Sequence, residues 1–170
     1  MDLKDWIRDV PDYPQSGTLF RDITPLLAHP PAFRYTIEQL QAPFARQTID
    51  AIVGIDARGF IFGAPIAYAL GVPFVPVRKR DKLPPETIGV NYSLEYGSGR
   101  LEMRVDALEP EMNVLVVDDL LATGGSAAAT GKLIRKLKAN LIGYSFVVEL
   151  TFLDGRAALE NELVEALVQY

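Results

Sequence analysis

The hydrophobic positions of this chain change their period part-way along it. Leu3, Trp6, Ile7 and Val10 recur at helical spacing, which predicts a short amphipathic helix that ends at Pro11. The following PDYPQSGTLFRDITP carries the proline, glycine and serine punctuation of an ordered loop. A second helix is predicted from near Pro31, with Phe33, Ile37, Leu40 and Phe44 on one face and Pro43 placed to bend or end it. From Asp50 onward short apolar runs alternate with helical stretches, the pattern of a mainly parallel sheet with crossover helices. DAIVGI reads as a strand, DARGF as its turn, and Ile61 to Leu70 as a helix closed by Gly71. FVPVR, Asn113 to Asp118 and Leu141 to Leu150 read as further strands. Between Lys79 and Gly89 the run KRDKLPPETIG is charged and aperiodic, an exposed loop. NYSLEY and RLEMRV read as a hairpin turning at Gly97 and Ser98. No repeat or linker divides the chain, so residues 1–170 are expected to form one α/β domain.

Composition narrows the class of partner. A chain of 170 residues, 49% hydrophobic, can bury one sizeable core. Its formal charge of −5 argues against general binding to nucleic acid or a membrane surface, so any anion must be held by a local site. There is no cysteine, which rules out disulfides and thiolate metal ligands. The first residues, MDLKDWIRDV, lack the apolar centre of a signal peptide, and no apolar run approaches the ~20 residues of a membrane span. The default address is the cytoplasm. His29, flanked by Ala28 and prolines, is assigned no catalytic role.

The chemistry concentrates in VLVVDDLLATGGS, Val114 to Ser126. A buried strand delivers Asp118 and Asp119 to its carboxyl end, where ligands of open α/β sheets collect. ATGGS then allows backbone amides to approach an anion at the start of a helix predicted from Ala127 to Lys138. The plain alternative is that Asp119 and Thr123 cap that helix and the glycines only turn the chain. Two familiar phosphate motifs fail. Five residues, not four, separate Gly125 from Gly131 and Lys132, and Leu133 stands where a Walker loop needs Ser or Thr. No GxGxxG follows a strand and opens a helix.

Hydrophobic strand, acidic pair, two apolar residues and ATGGS together resemble the phosphoribosyl pyrophosphate motif of the type I phosphoribosyltransferase family. PDYP, FRDITP, GIDARGFIFG, RKRDKLP, YSLEYG and a VELTFLDGR-like close extend the likeness over nearly the whole chain, to the branch that acts on adenine. The resemblance implies a twisted, mainly parallel sheet flanked by helices, a small hood from residues 1–30 and a lid from residues 79–104. It implies purine salvage: adenine and 5-phosphoribosyl 1-pyrophosphate give AMP and pyrophosphate.

By the same resemblance Ala122, Thr123, Gly124, Gly125 and Ser126 hold the ribose 5-phosphate, and Asp118 and Asp119 the ribose hydroxyls. Arg58, Arg78, Lys79 and Lys82 serve the pyrophosphate, with Arg80 adding charge, and an unusual cis peptide is expected around Asp56 and Ala57. Phe20 stacks on adenine, the backbone of Leu19 and Arg21 reads its edge, and Leu150 closes the other face. Glu95 handles the proton and Tyr96 closes the lid. Magnesium is held mainly by the substrate, with no direct protein ligand, and the assembly is expected to be a homodimer. Ala57 and Ser126 depart from the family's usual Ser and Thr, leaving the anion-binding backbone intact. Two other readings stay open: transfer to another purine, and a non-catalytic sensor of phosphoribosyl pyrophosphate.

Overall fold

The computed structural model describes residues 1–93, 98–159 and 161–170. In chain order it contains β1 (Arg8–Pro11), β2 (Leu19–Asp22), α1 (Thr24–Ala28), α2 (Pro30–Gln41), β3 (Ala51–Ile55), α3 (Gly59–Leu70), β4 (Phe74–Lys79), β5 (Thr87–Ser93), β6 (Ser98–Arg104), β7 (Asn113–Leu121), α4 (Gly125–Lys136), β8 (Asn140–Glu149) and β9 (Val164–Gln169). Among the described residues seven strands form one sheet in the order β5-β6-β4-β3-β7-β8-β9. The contacts of β3 with β4 and β7, of β7 with β8 and of β8 with β9 are parallel; β6 pairs antiparallel with β4 and β5.

Side-chain alternation along the central strands builds two cores. Val114 and Val116 of β7 face one side with Val53, Leu133, Ile134 and Tyr144, while Leu115 and Val117 face the other with Leu40, Phe44, Phe62 and Ile66. The first core lies under α4, the second under α2 and α3, so both faces of the parallel strands are covered. This is why those strands read as unbroken apolar runs. No helix among the described residues is long and apolar enough to cross a membrane.

Four features depart from expectation. The amino-terminal helix is one 3-10 turn, Leu3–Trp6, followed by β1. Leu3 and Ile7 are buried as their spacing suggested, but Val10 pairs with Phe20 in an antiparallel strand whose partner lies ten residues on. Pro11 does not end a helix; it closes a short edge strand, a position that tolerates the missing donor. The expected loop PDYPQSGTLFRDITP contains β2. In the β5–β6 hairpin Ser98 pairs with Ser93, so the turn is not at Gly97 and Ser98; the connection lies outside the described residues. Finally, β9 was not anticipated, because Val164, Ala166 and Val168 alternate with partners of mixed character on a strand that borders the sheet.

Candidate active site

Parallel strands that end on one side leave a crevice beyond their carboxyl ends, and β7 reaches it at Leu121, level with the ends of β8 and β9. Asp118 and Asp119 lie near that end, 8% and 7% exposed. The Asp119 amide donates to Asp118 Oδ1 at 2.9 Å. Arg58, in the turn between β3 and α3, reaches across, with Nε 2.6 Å from Asp119 Oδ2. Burial, and then the neighbouring Asp119 charge, push the Asp118 carboxyl well above the ordinary range, against the opposing pull of Arg58. The peptide between Asp56 and Ala57 is cis, as expected.

After β7 the chain turns through Ala122 to Gly124 into α4, whose first turn has no side-chain cap at Gly124. Residues Ala122 to Ala127 line the cleft, so the positive end of a twelve-residue helix, uncapped by a side chain among the described residues, borders it. Gly124 has φ 80°, and a Cβ there would collide with the Gly155 carbonyl oxygen. In turn, a Cβ on Gly155 would collide with the Ala122 carbonyl oxygen. The loop and the Gly155 segment thus interlock backbone to backbone.

What fixes Gly155 is its neighbour. Arg156 forms a two-pronged pair with Glu149, Nε to Oε1 at 2.7 Å and Nη2 to Oε2 at 2.8 Å, and donates through Nη1 to the Val164 carbonyl at 2.8 Å. Gln169 donates to Glu149 Oε2 at 2.9 Å. Glu149 is 3% exposed, and the Arg156 hydrogen bonds hold its carboxyl below the usual range. Sequence reasoning missed this network; the one local signal is a carboxylate at the end of the apolar run LIGYSFVVEL.

Two cavities meet here. The first, about 430 Å³, is lined by Asp56, Arg58, Lys79, Tyr92, both aspartates and the loop from Ala122 to Ser126. The second, about 450 Å³, is lined by Tyr13, Phe20, Arg21, Thr24, Leu27 and Ile61. Arg58 and Asp119 line both. Tyr13 meets Phe20 edge to face, centroids 5.2 Å apart.

The remaining expected residues are distributed unevenly. Arg78 braces the turn instead of lining the first cavity: its Nε lies 3.2 Å from Asp56 Oδ2, and its Nη1 donates to the Lys82 carbonyl at 3.4 Å. Lys82 is exposed and lines neither cavity, and Arg80 lies beside Asp81 at 3.4 Å. Leu19 is exposed and away from the second cavity's wall. Leu150 packs against the second core, its amide donating to the Leu121 carbonyl at 2.9 Å. Glu95 and Tyr96 lie outside the described residues.

A strand-end carboxylate pair, a helix start and an adjoining aromatic cavity thus stand together at the carboxyl end of the sheet. The family model "Phosphoribosyl transferase domain" matches residues 25–161. The chain belongs to the phosphoribosyl transferase family, among its adenine phosphoribosyltransferases. It is 55% identical to the adenine phosphoribosyltransferase of Acaryochloris marina over the full length of both chains, and 54% identical, again over both full lengths, to that of Thermosynechococcus vestitus. Among solved structures, the adenine phosphoribosyltransferase of Thermoanaerobacter pseudethanolicus superposes with a TM-score of 0.96 at 47% identity, covering 99% of this chain and 98% of that one. The Saccharomyces cerevisiae enzyme, solved with adenine and an imino-altritol bisphosphate, has a TM-score of 0.92 at 46% identity, covering 97% of this chain and 96% of that one.

Proposed function

We propose that the two cavities divide one reaction between them, and that phosphoribosyl pyrophosphate in the first and adenine in the second meet at the Arg58–Asp119 pair. The observation that carries this reading is the shared wall: one ion pair borders both an anion-binding cleft and an aromatic one. A ring nitrogen of adenine displaces pyrophosphate from the anomeric carbon, giving AMP, which is purine salvage. The sugar passes through an oxocarbenium-like state, so the protein must stabilise positive charge on the ring and negative charge on the leaving group.

The loop amides from Ala122 to Ser126 hold the 5-phosphate at the start of α4. Asp118 and Asp119 take the ribose hydroxyls. A ribose hydroxyl donates as well as accepts, and the two adjacent carboxyl groups offer oxygen acceptors to both hydroxyls. Arg58 and Lys79 face the pyrophosphate, and Arg78 positions that turn through Asp56. Phe20 offers its ring to the base, with Leu19, Arg21 and Leu150 as its further expected contacts and Lys82 as a further cation for the pyrophosphate. Glu95 takes the proton lost by adenine, and Tyr96 closes the lid.

A magnesium ion would be held mainly by the substrate's own oxygens, with no direct protein ligand, and would supply positive charge against the leaving group. A homodimer is supported by α3, which leaves Ile61, Tyr68 and Leu70 exposed, Tyr68 at 90%. The test is a purine panel with phosphoribosyl pyrophosphate and magnesium, scored for pyrophosphate release. Turnover with adenine far above hypoxanthine and guanine is expected; no turnover with adenine, or equal turnover with hypoxanthine, overturns the reading.

A further inference from the structure

The second cavity owes one wall to β1 and β2, which pair with each other in a sheet separate from the main one. A two-stranded ribbon is marginal by itself, so its position depends on what ties it to the body. Ile7 and Ile23 are buried at its outer ends. Within the ribbon, Arg8 and Asp22 are 3.9 Å apart and Arg8 is exposed, a weak contact.

The Arg21 side chain is different: it is 15% exposed, pairs with Asp9 of β1, and lays its guanidinium over the Tyr170 ring, 3.6 Å from the centroid. Tyr170 is itself firmly mounted. Its amide donates to the Glu149 carbonyl at 3.0 Å, and its carbonyl accepts from the Thr151 amide at 2.9 Å and the Thr151 hydroxyl at 2.7 Å. Lys4 Nζ lies 5.0 Å from the same ring. Adjacent strand residues send their side chains to opposite faces, so holding the Arg21 guanidinium on one face sets where Phe20 stands on the other.

We propose that Tyr170 is a positioning residue for the base-binding cavity, acting through Arg21 to hold the β1–β2 ribbon and Phe20 in place. The inference rests on the reading that this cavity takes adenine. It predicts a division between substrates, because the Tyr170 ring stacks on Arg21 of the ribbon while Tyr170 does not line the first cavity.

Tyr170→Leu keeps an apolar side chain and removes the π face; Tyr170→Phe keeps the face. In the full-length protein, Tyr170→Leu should raise KM for adenine about fivefold, the scale of a partly buried cation–π contact, with kcat and KM for phosphoribosyl pyrophosphate within about twofold of the parent. Tyr170→Phe should restore the parent value. Hydrogen exchange of the β1 and β2 amides, measured without substrate, should quicken in the Leu variant while β7 amides do not change. Unchanged exchange in the ribbon, or both KM values rising together, overturns the proposal. Faster ribbon exchange with unaltered adenine kinetics leaves the tether standing and overturns the assignment of the cavity to the base.

Discussion

The phosphate side and the base side of this site are built by opposite means. On the proposed phosphate side the loop is wedged against Gly155, and the neighbouring Arg156 is held by a buried carboxylate that accepts three hydrogen bonds from Arg156 and Gln169. On the proposed base side Phe20 and Arg21 stand on a two-stranded ribbon tied in by a guanidinium–ring stack and by Ile7 and Ile23 at its ends. Charge stabilisation demands donors fixed before the reaction, since reorganising dipoles as charge develops forfeits their benefit. A flat, largely apolar base tolerates a less rigid seat. The difference teaches that substitutions should sort by side: those behind the loop change affinity for the sugar phosphate, those behind the ribbon change affinity for adenine.

The shared wall is the place to break the comparison, because it serves both sides. Replacing Asp118 and Asp119 together with Asn should lower kcat by about a thousandfold, with the fold intact by circular dichroism. Activity near the parent level would remove the ribose-hydroxyl role. Asp118→Asn alone gives a stability signature with a definite sign. The native carboxyl's pKa is raised above its unfolded value, so ionisation penalises the folded state. That penalty is absent below the unfolded pKa and grows as pH rises toward the native one. The melting temperature of the Asn variant should therefore exceed the parent's at neutral pH, and the gap should close in acid.

Behind the loop the effects should be smaller and one-sided. Gly155→Ala puts a methyl group against the Ala122 carbonyl; a displacement near an ångström should cost about a hundredfold in kcat/KM for phosphoribosyl pyrophosphate. KM for adenine should change little. Arg156→Ala leaves Glu149 buried without its main partner and should destabilise by about 2 kcal/mol, a few degrees in Tm, less than a fully buried pair because Arg156 is half-exposed. KM for phosphoribosyl pyrophosphate should rise about tenfold with it, by steady-state kinetics. The pH dependence has the opposite sign to that of Asp118. The Glu149 carboxyl's native pKa is lowered, so its contribution is fully present above the ordinary glutamate pKa and is lost as pH falls through the native value. The Tm difference between parent and Glu149→Gln should narrow over that acidic range.

Legibility in the sequence followed the same division. The strand, acidic pair, small-residue loop and helix start of the phosphate side are contiguous, so local pattern sufficed to place them, although β7 runs on to Leu121 and α4 begins at Gly125, two residues before Ala127. What locks that loop was not legible. Glu149, Arg156, Val164 and Gln169 are scattered over twenty-one positions and brought together by β8 and β9, a pairing that no periodicity announces. On the base side, helical spacing of Leu3, Trp6 and Ile7 reported burial correctly and secondary structure wrongly, because the strand partner of Val10 lies across a turn. Arg78 looked like a ligand cation because its charge was visible and Asp56, its partner twenty-two residues away, was not.

The finest test of the comparison lies in the ribbon itself. Tyr13 packs its edge against Phe20, at an interplanar angle of 76°, and is itself exposed. An edge-to-face pair contributes about 0.5–1.5 kcal/mol beyond simple burial, and exposure places this one at the lower end. Tyr13→Ala should therefore raise KM for adenine by about threefold, leave KM for phosphoribosyl pyrophosphate unchanged, and be reversed by Tyr13→Phe, which keeps the ring and drops the hydroxyl. If Phe fails to rescue, the hydroxyl and not the ring supports the base. If the loss falls on phosphoribosyl pyrophosphate instead, the two sides are coupled through Arg58, whose guanidinium carbon lies 5.9 Å from the Phe20 centroid and whose Nε holds Asp119. The ion pair would then transmit the disturbance from ribbon to loop, and the two sides would have to be treated as one mechanical unit.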